Sequence, residues 1–318
     1  MSVLSMLKID KAKVEELSRK VLSKTQEQTK KAFSYEWSRL EAYESKAHAD
    51  VRRKWMIEKY CGNDASIIDK WLKGGKKIIL DAGCGSGYAS LIFWGEHLKS
   101  NYYLGVDISD AVETGRQKFK AAEVDGDFLQ CNLLDLPVPD GSIDIIFSEG
   151  VLHHTDSTEK SISYLAKKLK TGGRFLFYVY AKKAAIREFV DDHIRHSIGS
   201  LEDAEAWEAL KPLTKLGIAL GELNTEIDVP EDIPYLGIKK GKIDLQRFFY
   251  WNIFKAYYRP EFSLEEMNLI NFDWYRPFNC HRHTPEEIRE YCKNAKLEIE
   301  YMNVQEAGIT VVAKKHEL

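Results

Sequence analysis

Residues 78–87 read Ile-Ile-Leu-Asp-Ala-Gly-Cys-Gly-Ser-Gly, and no other stretch constrains the fold as tightly. Three apolar residues with an acid behind them predict the end of a buried parallel strand. Gly83, Gly85 and Gly87 leave no Cβ where the chain turns into a helix, so a nucleotide-like ligand can lie against bare backbone. A second apolar run, Tyr102 to Val106, closes on Asp107. A carboxylate about twenty residues beyond a glycine loop is placed to grip an adenosine ribose. The alternative for Asp107 is a helix N-cap, a role that Ser109 can fill instead.

Two cofactor classes fit such a turn. Dinucleotide dehydrogenases set a helix N-terminus against a pyrophosphate. Methyltransferases use a related loop for the amino-acid end of S-adenosylmethionine. Asp81 stands two residues before the first glycine. It would repel a pyrophosphate and suits a ligand carrying an ammonium and a sulfonium; its alternative is to organise the loop amides. The spacing is Gly-x-Gly-x-Gly, not Gly-x-Gly-x-x-Gly. At this point the chain resembles the class I S-adenosylmethionine-dependent methyltransferases, whose first motif is an acid followed by a glycine-rich loop.

Further segments extend the resemblance. Residues 131–140, Cys-Asn-Leu-Leu-Asp-Leu-Pro-Val-Pro-Asp, look like the segment after the third strand in the small-molecule branch called type 11. There an acid at the position of Asn132 meets the adenine amino group, and the next amide, that of Leu133, meets the ring. The Asn132 oxygen can accept the same hydrogen bond. Residues 142–148 read as a fourth strand running into Glu149-Gly150-Val151-Leu152-His153-His154, similar to the family's exit beside the transferable methyl. Residues 169–180 resemble its turn and fifth strand. The resemblance covers roughly 75–180 and resumes near 284–315. It implies S-adenosyl-L-methionine as cofactor, held by Asp81, Gly83, Gly85, Asp107, Ile108, Asn132, Leu133 and Glu149. Related enzymes also carry Phe-x-Tyr-x-Trp upstream of the first strand. Here Phe33-Ser34-Tyr35-Glu36-Trp37 implies that Tyr35 or Trp37 reaches the ligand.

The 318 residues suffice for one large domain or a domain with an insertion. A formal net charge of -3 gives no basic face for nucleic acid. No apolar run approaches a membrane span, and the N-terminus lacks the layout of a signal peptide. Five cysteines, an odd count without Cys-x-x-Cys spacing, read as reduced thiols in a cytoplasm. Cys280-His281-Arg282-His283 with Cys292 matches no common zinc spacing, so no metal is expected.

The chain divides into four parts. Residues 1–75 are an N-terminal helical cover, with Val14, Leu17 and Val21 on one helical face and Trp37, Leu40, Ala47, Val51 and Trp55 on another. Residues 76–180 alternate strands and helices and form the S-adenosylmethionine-binding core. Its helices fall near 88–99, 111–121 and 158–169. Residues 181–283 are a mainly helical lid insertion for the substrate, about a hundred residues where a compact fold needs a short link. Residues 284–318 return to the core, with Thr284 and Pro285 starting a helix and a closing strand hairpin at the sheet edge. The expected architecture is α/β: a doubly wound, Rossmann-like methyltransferase sheet with N-terminal helices and the inserted lid.

Methyl transfer from a sulfonium is an in-line displacement. The enzyme holds the acceptor about 3 Å from the methyl and removes a proton where the acceptor carries one. His154, then His153, then His281 are the candidate bases, since histidine titrates near neutrality; packing, capping or an exposed basic loop are their alternatives. Glu149 faces the cofactor, the acceptor or solvent. Phe248, Trp251, Phe254 and Tyr258 fall at helical spacing, as a lid core or as the wall of a pocket for a flat or lipid-like acceptor. Tyr250, Tyr275 and Arg276 are the substrate candidates, with Arg247 and Arg259 as further partners for a carboxylate or phosphate. The expected activity is methylation of a small molecule. Alternatives are a nucleic-acid or protein methyltransferase, a non-catalytic cofactor-binding relative, and a dehydrogenase. The sequence leaves the methylated atom, the pathway and the oligomeric state open.

Overall fold

Among the described residues nine strands form in chain order: β1 (Ile78–Ala82), β2 (Tyr102–Asp107), β3 (Asp127–Gln130), β4 (Ile143–Glu149), β5 (Leu169–Tyr180), β6 (Glu226–Val229), β7 (Gly241–Asp244), β8 (Leu297–Val304) and β9 (Gly308–Lys315). The computed structural model describes residues 2–18, 20–37 and 46–316. The described chain forms two compact units.

The first unit is built on a seven-stranded sheet in the order β3-β2-β1-β4-β5-β9-β8. Strands β1 to β5 are parallel, and β9 runs antiparallel between β5 and β8. This is the doubly wound, Rossmann-like sheet expected. Alternation along β1 explains why both faces are covered: Ile78, Leu80 and Ala82 enter one core with Ile162 and Leu165, while Ile79 enters the other with Phe93, Trp94 and Phe147. The strand order reverses between β1 and β4, and ligands of such sheets bind outside the carboxyl ends of strands at that point.

The helices Ala111–Ala121 and Thr158–Lys168 fall where the periodicity places them. The helix after the glycine loop is shorter than expected: it runs Tyr88–Trp94 and tightens into a 3-10 turn at Gly95–Ser100, with Gly95 at φ 54°. Thr284 caps Pro285–Asn294 through a reciprocal pair with Glu287, and the closing strands form the expected edge hairpin. Strand β5 starts earlier than expected because Leu169 already pairs with Ile143 before an irregularity in register.

The N-terminal reading needs correction. The first long polar stretch breaks after the helix Lys11–Ser18, and Val21 is 93% exposed, so it shares no buried face with Val14. In the helix Lys46–Cys61 the buried side is Met56, Ile57, Lys59 and Tyr60, whereas Val51 is exposed. Leu40 and the side chain of Ala47 lie outside the described residues. The helix Lys24–Trp37 groups with the second unit, not with a cover on the sheet.

The second unit combines that helix with residues 182–280. Its helices are Ala185–Ile198, Asp203–Glu222, Leu245–Asn252 and Leu264–Tyr275, beside the small β6–β7 hairpin, which periodicity did not reveal. The aromatic run does not continue as one helix. Its helix ends at Asn252, and Phe254 and Tyr258 lie on a non-helical return. That return is held by Gln246, which donates to the Ala256 carbonyl at 2.6 Å, and by the Tyr257 amide, which donates to Asn271 at 3.0 Å.

Candidate active site

The glycine loop sits on the turn that follows β4. Gly83, Gly85 and Gly87 have φ of 85°, 50° and 69°, a region that side chains disfavour. A Cβ on Gly83 would lie 2.2 Å from Val151 Cγ1, so glycine is required there by packing as well as by torsion. The Gly83 and Cys84 amides donate to the Val106 carbonyl at 2.7 and 2.9 Å, which ties the loop to the end of β2.

Asp107 closes the same arrangement. Its Oδ2 accepts from the Gly85 amide at 2.8 Å, and Oδ1 accepts from the amide and hydroxyl of Ser109 at 2.8 and 2.6 Å. A carboxylate offers about four acceptor positions, so one remains for a ribose hydroxyl. Burial raises its pKa, and the bonds from Ser109 and Gly85 oppose that rise. The Cys131 amide donates to the Asp107 carbonyl at 2.8 Å, bringing the ends of β2 and β3 together. Asn132 follows and accepts from the Leu134 amide at 3.0 Å, leaving a second lone pair for an adenine amino group. Leu133 is buried, and the Ile108 carbonyl accepts from Gln130 at 3.3 Å. These residues fit an adenosine moiety: the loop is bare backbone, and both acceptors keep capacity.

Two expected cofactor contacts have other partners. Asp81 is 2% exposed; its Oδ2 accepts from the hydroxyls of Ser90 and Tyr103, each at 2.7 Å. It joins β1, β2 and the following helix beneath the loop, through side chains and not through loop amides. Burial raises its pKa to about 7, against the pull of those two bonds. Glu149 is neither solvated nor directed at a ligand by its own bonds. Its Oε1 pairs with the Lys59 ammonium and its Oε2 accepts from Tyr60 at 2.7 Å. Lys59 is fully buried, lies 3.5 Å from the centre of the Trp55 ring and 4.0 Å from that of Tyr178, and has its pKa lowered to about 8 by burial. Sequence reasoning missed Lys59. It is one of several basic residues in its helix, and only the phase of that helix sets it apart.

The structure gathers the candidate histidines. His153 and His154 occupy a 3-10 turn after β4, with ring centres 4.1 Å apart. His153 is fully buried, packs with its ring centre 3.8 Å from that of Tyr180, and finds no hydrogen-bond partner for either ring nitrogen among the described residues. Burial holds its pKa well below the ordinary value, and the neighbouring histidines add to that. The His281 amide donates to the His153 carbonyl at 2.9 Å, and His281 Nε2 lies 3.0 Å from the Thr155 carbonyl. A carbonyl only accepts, so that nitrogen carries the proton. His283 bonds to Thr158 at 2.9 Å, with its pKa lowered to about 4 by burial. No three His, Cys, Asp or Glu residues among those described converge to hold a metal.

The remaining candidates lie in the second unit. Tyr35 packs there against Phe272 and Trp207, with ring centres 5.5 and 6.3 Å away. Tyr275 is fully buried, and its hydroxyl donates to Asp191 and accepts from the Lys255 amide, both at 2.8 Å. Arg276 pairs with Asp203 at 2.7 Å and donates to the Leu201 carbonyl at 2.8 Å. Both side chains thus make internal bonds within the second unit. Tyr250 is half-buried near the guanidinium groups of Arg187 and Arg247, 5.3 and 5.4 Å from its ring centre, and burial pushes its hydroxyl up to about 12.

Residues 80–177 match the family described as Methyltransferase domain. Over 139 residues the chain is 34% identical to an Encephalitozoon cuniculi protein described as a methyltransferase, covering 43% of this chain and 57% of that one. It is 30% identical over 134 residues to a malonyl-[acyl-carrier protein] O-methyltransferase of Hamiltonella defensa, covering 42% and 43%. It is 32% identical over 124 residues to a tRNA (carboxymethyluridine(34)-5-O)-methyltransferase of Mus musculus, covering 37% and 17%. The chain thus spans about half the length, or less, of the curated relatives it matches. Among solved structures it is similar to a Methanosarcina mazei S-adenosylmethionine-dependent methyltransferase, at 16% identity and TM-score 0.45, covering 79% of this chain and 98% of the other. Residues 80–177 therefore match a methyltransferase domain.

Proposed function

We propose that this chain transfers a methyl group from S-adenosyl-L-methionine to a small-molecule acceptor in the cytoplasm. The observation that carries the reading is the bond from the Gly85 amide to Asp107, which joins the glycine loop to the ribose-binding acid at the carboxyl edge of the sheet. Gly83, Gly85, Asp107, Ile108, Asn132 and Leu133 hold the cofactor, which supplies an electrophilic methyl when bound. His153 is the favoured base for a protonated acceptor, with His154 beside it. A buried imidazole without an internal partner is costly unless a ligand satisfies it, and its depressed pKa keeps it neutral and able to take a proton at pH 7. The second unit serves acceptor recognition. A net charge of -3 disfavours a nucleic-acid substrate, and no described helix is long and apolar enough to cross a membrane. Five buried free thiols suit a reducing compartment.

Labelled S-adenosylmethionine is incubated with the protein and either fractionated small metabolites or unfractionated tRNA. Label should pass to a small molecule, with release of S-adenosylhomocysteine. Transfer to tRNA alone would overturn the acceptor class, and no transfer to any fraction would overturn the enzyme reading.

A further inference from the structure

The second unit contains a buried cationic cluster that the proposed chemistry does not use. Asp191 is its frame. Arg187 and the Trp274 indole donate to Oδ2 at 2.6 and 2.8 Å, and Tyr275 donates to Oδ1 at 2.8 Å. Arg187 and Asp191 are each 1% exposed, and Trp274 and Tyr275 are also buried. The frame fixes the Trp274 ring, and three cations lie around that ring. The distances to its centre are 4.8 Å for Lys255, 5.4 Å for Arg187 and 5.7 Å for Lys183.

Lys255 decides what the cluster is for. It is 6% exposed, yet among the described residues its ammonium makes neither a hydrogen bond nor an ion pair. A buried ammonium is unfavourable unless something neutralises it, and an aromatic face offsets only part of that cost. Asp191 already serves three donors. The half-buried acids Asp273 and Glu188 favour the charged forms of Lys255 and Lys183 respectively, while Arg187 opposes them. Burial lowers Lys255 to about 8 and Lys183 to about 7, so an arriving anion would favour the charged form of both.

We propose that Lys255 and Lys183, with the rings of Trp274 and Trp251, bind the carboxylate or phosphate of a small organic acceptor. The assignment rests on the reading of the acceptor as a small molecule. Arg187 shapes the field but is not itself the anion's ligand, since it is tied to Asp191 and to the Tyr250 carbonyl. Lys183 lies 5.8 Å from the Trp251 ring centre, so the anion would sit between two indoles that suit a flat or apolar body.

The test is calorimetry on the full chain with inorganic phosphate and, separately, benzoate, at about pH 7. At least one anion should bind the wild type, bind about tenfold or more weakly to Lys255→Met, and bind near normally to Lys255→Arg. Phosphate alone or benzoate alone identifies the group recognised. S-adenosylhomocysteine affinity is measured on the same samples and should be unchanged in Lys255→Met. If that variant loses it through misfolding, protection of wild-type Lys255 from amine acylation by the bound anion is read by mass spectrometry instead. The inference fails if neither anion binds the wild type, if Lys255→Met binds both normally, or if Lys255 gains no protection. Loss of S-adenosylhomocysteine binding by the wild type would overturn the cofactor reading alone.

Discussion

The ammonium of Lys59 pairs with the Glu149 carboxylate where the two side chains are 0% and 7% exposed. Removing one partner of such a pair leaves an uncompensated buried charge. Lys59→Met should therefore destabilise the protein by about 3–5 kcal/mol, and Lys59→Met with Glu149→Gln should recover most of that loss. Urea unfolding of the three proteins is the measurement. A double variant as unstable as the single one would show that the pair is not the source of the cost.

Asp107 supports the glycine loop and, in the proposed function, the cofactor ribose. Asp107→Ala should weaken S-adenosylhomocysteine binding by about 2–4 kcal/mol, through the lost charge-assisted bond to ribose and the loosened Gly85 amide. Calorimetry decides this, and an unchanged affinity would remove Asp107 from the site.

His153 should matter for turnover more than for cofactor binding. If the acceptor carries a proton, His153→Gln should lower kcat about 10²–10⁴-fold with little change in S-adenosylhomocysteine affinity. Its folded pKa lies below the usual histidine value, so wild-type activity should rise with pH through a group titrating below neutrality, and the limb should vanish in the variant. His154→Gln is the second variant. His281→Asn should cost less, because its Nε2 is already committed to the Thr155 carbonyl. A normal kcat and pH profile in both His153→Gln and His154→Gln would mean that no base is needed there.

Asp81 links stability to pH in the opposite sense from a salt-bridged carboxylate. Its pKa is about 7 when folded and 3.8 in the reference state. Below about pH 4 both states hold the proton, and no penalty exists. Between pH 4 and 7 the unfolded chain releases it first, so stability falls as pH rises, by roughly 4 kcal/mol at most. Asp81→Asn should gain on the wild type across that window in urea titrations of the ligand-free protein. A constant difference between pH 4 and 7 would contradict the raised pKa.

The methyltransferase core was legible because its signals are local. Glycines needing positive φ, an acid at a strand end and apolar runs of strand length lie within a few residues of one another, and backbone sterics fix what they form. The same holds for Thr284 and Pro285, whose helix start is chemistry of one turn. Other outcomes depended on contacts distant in sequence. Val21 continued a helical pattern, but the helix stops at Ser18 and leaves Val21 in solvent. Nothing near Glu149 announces Lys59, and nothing near Tyr275 announces Asp191, 84 residues away. Arg276 looked like an anion ligand until Asp203 occupied it, and Lys255, one basic residue among 46, became distinctive only when folding buried it without a hydrogen-bond or ion-pair partner among the described residues. Sequence by itself determined the backbone scaffold and its cofactor class, because those follow from torsion and period. Only tertiary structure decided which charges are neutralised internally and which are not, because pairing and desolvation depend on what packs against each group.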